Sequence, residues 1–162
     1  MSGETISTAI ITIASVICAA GFVAAVTPSI LSAGDPVVSS TNILKDQIDT
    51  NIKIIHAASN PEGTEVYIWI KNVGNNHISP NLVDNSDLFF GESGNFMRIP
   101  YDETGTGVPG WRYSIENGGT GEWQKSDTIK ITVRTSVSSG NEYFIKFITY
   151  NGVSDEDYFA VS

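Results

Sequence analysis

Gly105-Thr106-Gly107-Val108-Pro109-Gly110 reproduces the spacing G-x-G-x-x-G, which in nucleotide-binding proteins wraps a pyrophosphate. That chemistry needs a strand before the glycines and a helix N-terminus after them, whose free N–H groups receive the phosphate. Pro109 and the Trp111-Arg112-Tyr113 run that follows supply β character instead, so a flexible loop is expected here and no cofactor. The two histidines, His56 and His77, sit at the ends of strand-like runs without a Gly-x-Ser-x-Gly elbow, which leaves a serine hydrolase without support. Carboxylates gather at Asp84/Asp87, Asp102/Glu103 and Asp155/Glu156/Asp157. Calcium takes such oxygens, but the twelve-residue loop spacing is missing, and solvated acidic loops are the expectation. Paired carboxylates acting on a glycosidic bond would also need a cleft. The single cysteine, Cys18, lies inside an apolar run and rules out both an intramolecular disulfide and a Cys-rich zinc site. The reading is a protein without catalytic residues, cofactor or metal.

The elements around these residues are more informative. The chain has 162 residues and a net charge of −9, and Glu4 is its only charged residue before Asp35. An acidic balance argues against nucleic acid, which is bound through clustered Lys and Arg. The uncharged interval from Thr5 to Gly34 exceeds the roughly 20 apolar residues that a membrane helix needs. A secretory signal opens with Lys or Arg and has a shorter apolar core. Met1-Ser2-Gly3-Glu4 has no basic residue, so the segment is expected to be retained. Ser2 suits a helix cap and Glu4 its first turn, where a negative charge complements the helix dipole. Thr5, Thr8, Thr12, Ser15 and Ala19 recur every three or four residues and share one face, with Gly21 and Ala25 as a small-xxx-small pair nearby. Small and hydroxyl residues let helices approach closely in lipid, so this face is a candidate assembly surface. The alternative is that each hydroxyl bonds the carbonyl one turn back and meets no neighbour. Lys45, the first basic residue, lies past the helix end, so charge does not orient it.

Pro28 and Gly34 predict a helix end, so residues 1–34 form the hydrophobic membrane or assembly helix. Asp35-Pro36 reads as the cap and first residue of a second helix or linker over 35–50, with Ile43, Leu44, Ile48 and Ile52 along its apolar edge. Residues 51–162 predict an antiparallel, immunoglobulin-like β-sandwich, making the fold mainly β. The strongest strands are Val66–Lys71, Asp127–Arg134 and Glu142–Tyr150. Weaker ones are 52–57, 88–90, 96–99, 111–115 and 157–161. Turn signals separate them, among them Asn60-Pro61-Glu62-Gly63, Gly74-Asn75-Asn76, Gly91-Glu92-Ser93-Gly94, Gly118-Gly119-Thr120-Gly121, Ser139-Gly140-Asn141 and Asn151-Gly152. On Val66–Lys71 the alternation turns Val66, Ile68 and Ile70 one way and Tyr67 and Trp69 the other. Tyr67 and Trp69, with Phe89 and Phe90, are therefore candidates for a protein interface, or for a surface covered by a loop of the same domain. No Asn-x-Ser/Thr sequon occurs, which leans against a heavily glycosylated outer polymer.

Several stretches resemble the FlaG (ArlG) family of archaellum accessory proteins. They are Met-Ser-Gly-Glu-Thr-Ile-Ser-Thr-Ala-Ile at 1–10, Tyr67-Ile68-Trp69-Ile70-Lys71-Asn72-Val73-Gly74, Ile78-Ser79-Pro80, Asp87-Leu88-Phe89-Phe90-Gly91, Arg98-Ile99-Pro100-Tyr101, Trp111-Arg112-Tyr113, Trp123 and Tyr158-Phe159. The resemblance spans essentially the whole chain. It implies a non-enzymatic part of the archaeal motility machinery in the cell envelope. The helix would lie in the cytoplasmic membrane and the β-domain outside it, beneath the S-layer. It implies a stator role, self-association into a homo-oligomer or filament, a FlaF-like partner and no cofactor. Archaellins and type IV pilins share the apolar helix plus β-domain, and a filament subunit with its helix in the filament core is the competing expectation. Pilins also keep a glutamate near the mature N-terminus that pairs with a neighbour's amine. Glu4 has a different spacing and is read first as a helix-end anion.

Overall fold

The computed structural model describes residues 2–117, 119 and 121–161, and the side chains of all of these except 2 and 31–40. Gly118 and Thr120 of one expected turn, and the side chains of the expected caps Ser2 and Asp35, lie outside the described residues.

The apolar run forms α1, Ser2–Asp49, with Glu4 in its first turn. A break at Gly34 and a second helix from Asp35 were expected, but α1 continues through both. Proline removes one N–H from the ladder and need not end a helix whose turns on both sides are formed. The chain divides into two compact units, Met1–Ile43 and Leu44–Ser162, so the last turns of α1 belong with the strands.

Eight strands follow: β1 Ile52–Ser59, β2 Glu65–Asn72, β3 Asp87–Glu92, β4 Asn95–Ile99, β5 Gly110–Ile115, β6 Thr128–Arg134, β7 Glu142–Ile148 and β8 Ser154–Ala160. One short helix, α2 Pro80–Asp84, sits between β2 and β3 and had no counterpart in the sequence reading. Two four-stranded sheets result, ordered β1-β2-β6-β5 and β4-β3-β7-β8, with every named pair antiparallel. This is the expected antiparallel sandwich, preceded by a long N-terminal helix. The alternation on β2 and β6 sets the packing. Val66, Ile68 and Ile70 face Val133, Ile131 and Ile129 in register, and all six are fully buried. Aliphatic chains of this size each contribute roughly 1.5–3 kcal/mol on burial. Trp111 and Trp123 fill the space between the sheets, both edge-on to Phe147, with ring centroids 5.8 and 6.4 Å away.

The Gly105–Gly110 segment is a loop leading into β5, as the proline demanded. Its organiser is Asp102, whose carboxylate accepts from the Thr104 N–H and hydroxyl and from the Gly107 N–H. These bonds, the Thr104 hydroxyl first, hold the Asp102 carboxyl down at about 2. A depressed acid stabilises its loop fully above the ordinary carboxylate value and loses that contribution as pH falls through the lowered one. Amide exchange at Thr104 and Gly107 is therefore expected to accelerate between about pH 4 and pH 2 beyond the intrinsic pH trend, and Asp102→Asn to remove that acceleration.

Candidate functional site

Two features of the Leu44–Ser162 unit are built beyond the needs of a core. The first is a socket around the end of α1. A helix leaves its last carbonyls without partners. Here the Asp49 carbonyl accepts from the N–H groups of Asn75 (2.7 Å) and Asn76 (3.0 Å). The Asp46 carbonyl accepts from Thr50 Oγ1 (2.6 Å) and Asn151 Nδ2 (3.2 Å), while Gln47 Nε2 donates to the Asn151 carbonyl (2.8 Å). Asn76 Nδ2 reaches Thr50 Oγ1 at 2.9 Å and the Tyr150 hydroxyl at 3.0 Å. Behind this layer the fully buried Asn72 spends its whole amide. It donates to the carbonyls of Asn76 (2.8 Å) and Trp123 (3.1 Å) and accepts from the Gly74 N–H (3.0 Å). Gly74 is required by proximity alone, since a Cβ there would lie 2.3 Å from the Asp49 carbonyl oxygen and 2.5 Å from the Asn51 nitrogen. Neither backbone group can swing aside. Gly74→Ala is expected to cost about 1–3 kcal/mol in urea unfolding, while Gly119→Ala, with open space around it, stays within about 0.5 kcal/mol.

The second feature is an aromatic surface on the outer face of the β4-β3-β7-β8 sheet. Phe96 (48% exposed) from β4, Phe144 from β7 and Tyr158 (53% exposed) from β8 form a row of tilted rings across it. Their ring centroids lie 4.6 Å apart for Phe96–Phe144 and 5.1 Å for Phe144–Tyr158. Phe89 and Lys146 complete a shallow groove of about 490 Å³. Phe89, expected at an interface, thus lies on this surface. Phe90 does not. Its side chain points inward at 2% exposure and stacks on Tyr143 at 5.6 Å, because adjacent residues of a strand face opposite ways. Phe90 is core, and its place among the interface candidates is corrected. Phe96, Phe144 and Tyr158 were not among the interface candidates read from the sequence.

Tyr67 and Trp69 lie on the outer face of the other sheet, both half-buried. His56 packs on Trp69 (5.2 Å) and Lys130 stands 5.9 Å from the Tyr67 ring. The Tyr67 hydroxyl donates to Glu65 (2.9 Å), a bond that raises its pKa together with burial. Local partners therefore occupy much of this pair. Two of the acidic groups expected in loops lie in strands instead, Asp87 in β3 and Asp155 to Asp157 in β8, and they find partners: Asp155 takes Lys53 (2.8 Å) and the Ile54 N–H (2.7 Å), and Asp87 takes Arg98 (2.6 Å). Among the described residues no group of three His, Cys, Asp or Glu side chains could hold a metal ion.

On α1, Thr8, Thr12 and Ser15 donate their hydroxyl protons to the carbonyls of Glu4, Thr8 and Ile11, each at 2.8 Å. The local use of the hydroxyls is therefore present. A neighbour on this face would meet small side chains whose oxygens act as acceptors. Thr5, Ala19, Gly21 and Ala25 are exposed along the same helix, and Gly3–Ile30 is long and apolar enough to cross a membrane, at a mean hydropathy of 2.5.

Known proteins share this plan. The chain is 25% identical to the archaellum periplasmic stator protein FlaG of Sulfolobus acidocaldarius, covering 68% of this chain and 99% of that one at a TM-score of 0.58. It is 26% identical to a chain of the FlaF and FlaG stator complex from the same organism, covering 67% and 87% at a TM-score of 0.55. The archaeal flagellum of Methanospirillum hungatei shares the fold at 14% identity over 97% of this chain and 93% of that one, with a TM-score of 0.69. An uncharacterized protein of Archaeoglobus fulgidus is 31% identical over 166 residues, 99% of each chain. The family model for archaeal-type flagellin matches residues 2–159, and the chain belongs to the archaeal-type flagellin family.

Proposed function

We propose that this chain is a membrane-anchored stator subunit of an archaellum. In this reading α1 sits in the cytoplasmic membrane, the β-sandwich stands outside it beneath the S-layer, and the sandwich associates with copies of itself and with a FlaF-like partner. The observation that carries the reading is the likeness to the FlaG stator over nearly all of that solved chain, at higher identity than to the flagellum structure. The physical requirements agree. A stator resists torque, so it needs an anchor in lipid and a stiff body. The apolar span Gly3–Ile30 suits the first. The fully buried sheet core suits the second. The hydrogen bonds of the socket, which hold the carbonyls of Asp46 and Asp49, stiffen that body further. The role asks for no catalysis and no cofactor.

A filament subunit is the second reading, favoured by the flagellum likeness, which takes in the helix as well as the sandwich. The two differ in where the protein goes. After archaella are sheared from cells carrying a tagged chromosomal copy, a stator stays with the membranes and co-purifies with a FlaF-like protein. Recovery of most copies in the sheared filaments would replace the stator reading with the second.

A further inference from the structure

Two sheets have four edges, and three of them carry an obstacle to pairing with a like copy. The β1 edge gives its Ile54 N–H to Asp155. The β5 edge is bridged where it begins, Trp111 N–H to the Pro100 carbonyl (3.0 Å) and Asp102 N–H to the Trp111 carbonyl (2.8 Å). The β8 edge carries Asp155, Glu156 and Asp157 in a chain of net charge −9, so two such edges repel. The β4 edge is different. Asn95 to Arg98 are all exposed, with Phe96 at 48% and Met97 at 59%. The Glu92–Asn95 hairpin register pairs Met97 with Phe90 and Ile99 with Leu88. In an antiparallel ladder hydrogen-bonded pairs alternate, and the Ser93 N–H to the Glu142 carbonyl fixes which residues bond which neighbour. Phe96 and Arg98 therefore turn their N–H and C=O groups outward, unpaired. Apolar surface flanks this open backbone on both sides: the aromatic groove on one face, and Met97 with Val108 on the other.

We infer that β4 is the seam of self-association: two copies pair their β4 strands antiparallel about Met97, joining the two β4-β3-β7-β8 sheets into one. The inference rests on the stator reading and specifies its self-association. The strand is complementary to itself. Pairing about Met97 sets Phe96 opposite the partner copy's Arg98, the two residues whose backbones face outward, for about four hydrogen bonds. Arg98 is the only charge in the strand, so no like charges are opposed, and each guanidinium lies by an aromatic ring on the outer face. The two Met97 side chains meet on the axis, and the aromatic grooves of both copies become continuous. A five-residue strand pair buries less than the roughly 1,000 Å² of a self-sufficient interface. Anchoring both copies in one membrane supplies the missing effective concentration.

The test uses the full chain in lipid vesicles with Cys18→Ala as background. A cysteine at a non-hydrogen-bonded antiparallel pair meets its counterpart at disulfide distance. Met97→Cys should therefore bridge copies about tenfold faster than Ser114→Cys, an exposed position on the β5 edge, under the same mild oxidant. Adding Phe96→Lys, an edge charge on an exposed position, should return the rate to the Ser114→Cys level. Energy transfer between fluorescently labelled chains reports association independently of the cysteines. Transfer without preferential bridging at Met97→Cys overturns this seam and leaves the stator reading intact. Loss of transfer as well overturns self-association itself.

Discussion

Trp111→Ala is expected to lower the stability of the β-domain by about 3–5 kcal/mol, the largest single loss in the sandwich. Trp111 is 1% exposed, with Tyr101 tilted against it at 4.9 Å, Tyr113 tilted at 6.4 Å and Phe147 edge-on at 5.8 Å. Truncation removes apolar area and three ring contacts together, and it leaves a cavity that two hydrogen-bonded sheets cannot collapse around. Its backbone still bridges to Pro100 and Asp102, so the register of β5 is retained and the loss is one of packing. Urea unfolding followed by the emission of Trp69 and Trp123 measures it directly. A midpoint unchanged from the parent would mean that the space between the sheets is not closed by this ring.

The second large effect belongs to the helix. Thr12→Arg is expected to abolish swimming on soft agar while the β-domain stays folded, because the substitution lies within Gly3–Ile30 and outside the Leu44–Ser162 unit. An arginine at the centre of a membrane helix costs up to about 3 kcal/mol, and its length blocks close approach on a face lined by Thr8, Ser15 and Ala19. Thr12→Ser keeps both the small volume and the bond to the Thr8 carbonyl and should swim. Normal swimming by Thr12→Arg, at parental protein levels, would remove the assembly face from the account.

Much of the sandwich was legible because period-two alternation is a local signal. Ile129, Ile131 and Val133 announce a buried face without reference to anything distant, and so do Val66, Ile68 and Ile70. The same rule, applied strictly to Leu88-Phe89-Phe90, separates the two phenylalanines, since Leu88 and Phe90 must share the core. Grouping them by residue type overlooked that. Phe96, Phe144 and Tyr158 come together only through the strand order β4-β3-β7-β8, and strand order is not a local property. The socket was hidden for the same reason. Asn75 and Asn76 read as turn residues, and nothing near them in sequence points to Asp46 or Asn151. Continuity of α1 past Gly34 was missed because breaker residues were weighed alone, without the helical turns on both sides.

The socket also decides where the β-domain can be cut free. A fragment beginning at Asn51, the boundary that strand patterns suggest, would discard the Asp46 and Asp49 carbonyls and the Gln47 amide. Asn75, Asn76 and Asn151 would then have to find water in their place. A fragment beginning at Leu44 carries its own plug. The final turns of α1 thus serve the sandwich as a cork serves a flask, sealing a polar end that the sheets leave open.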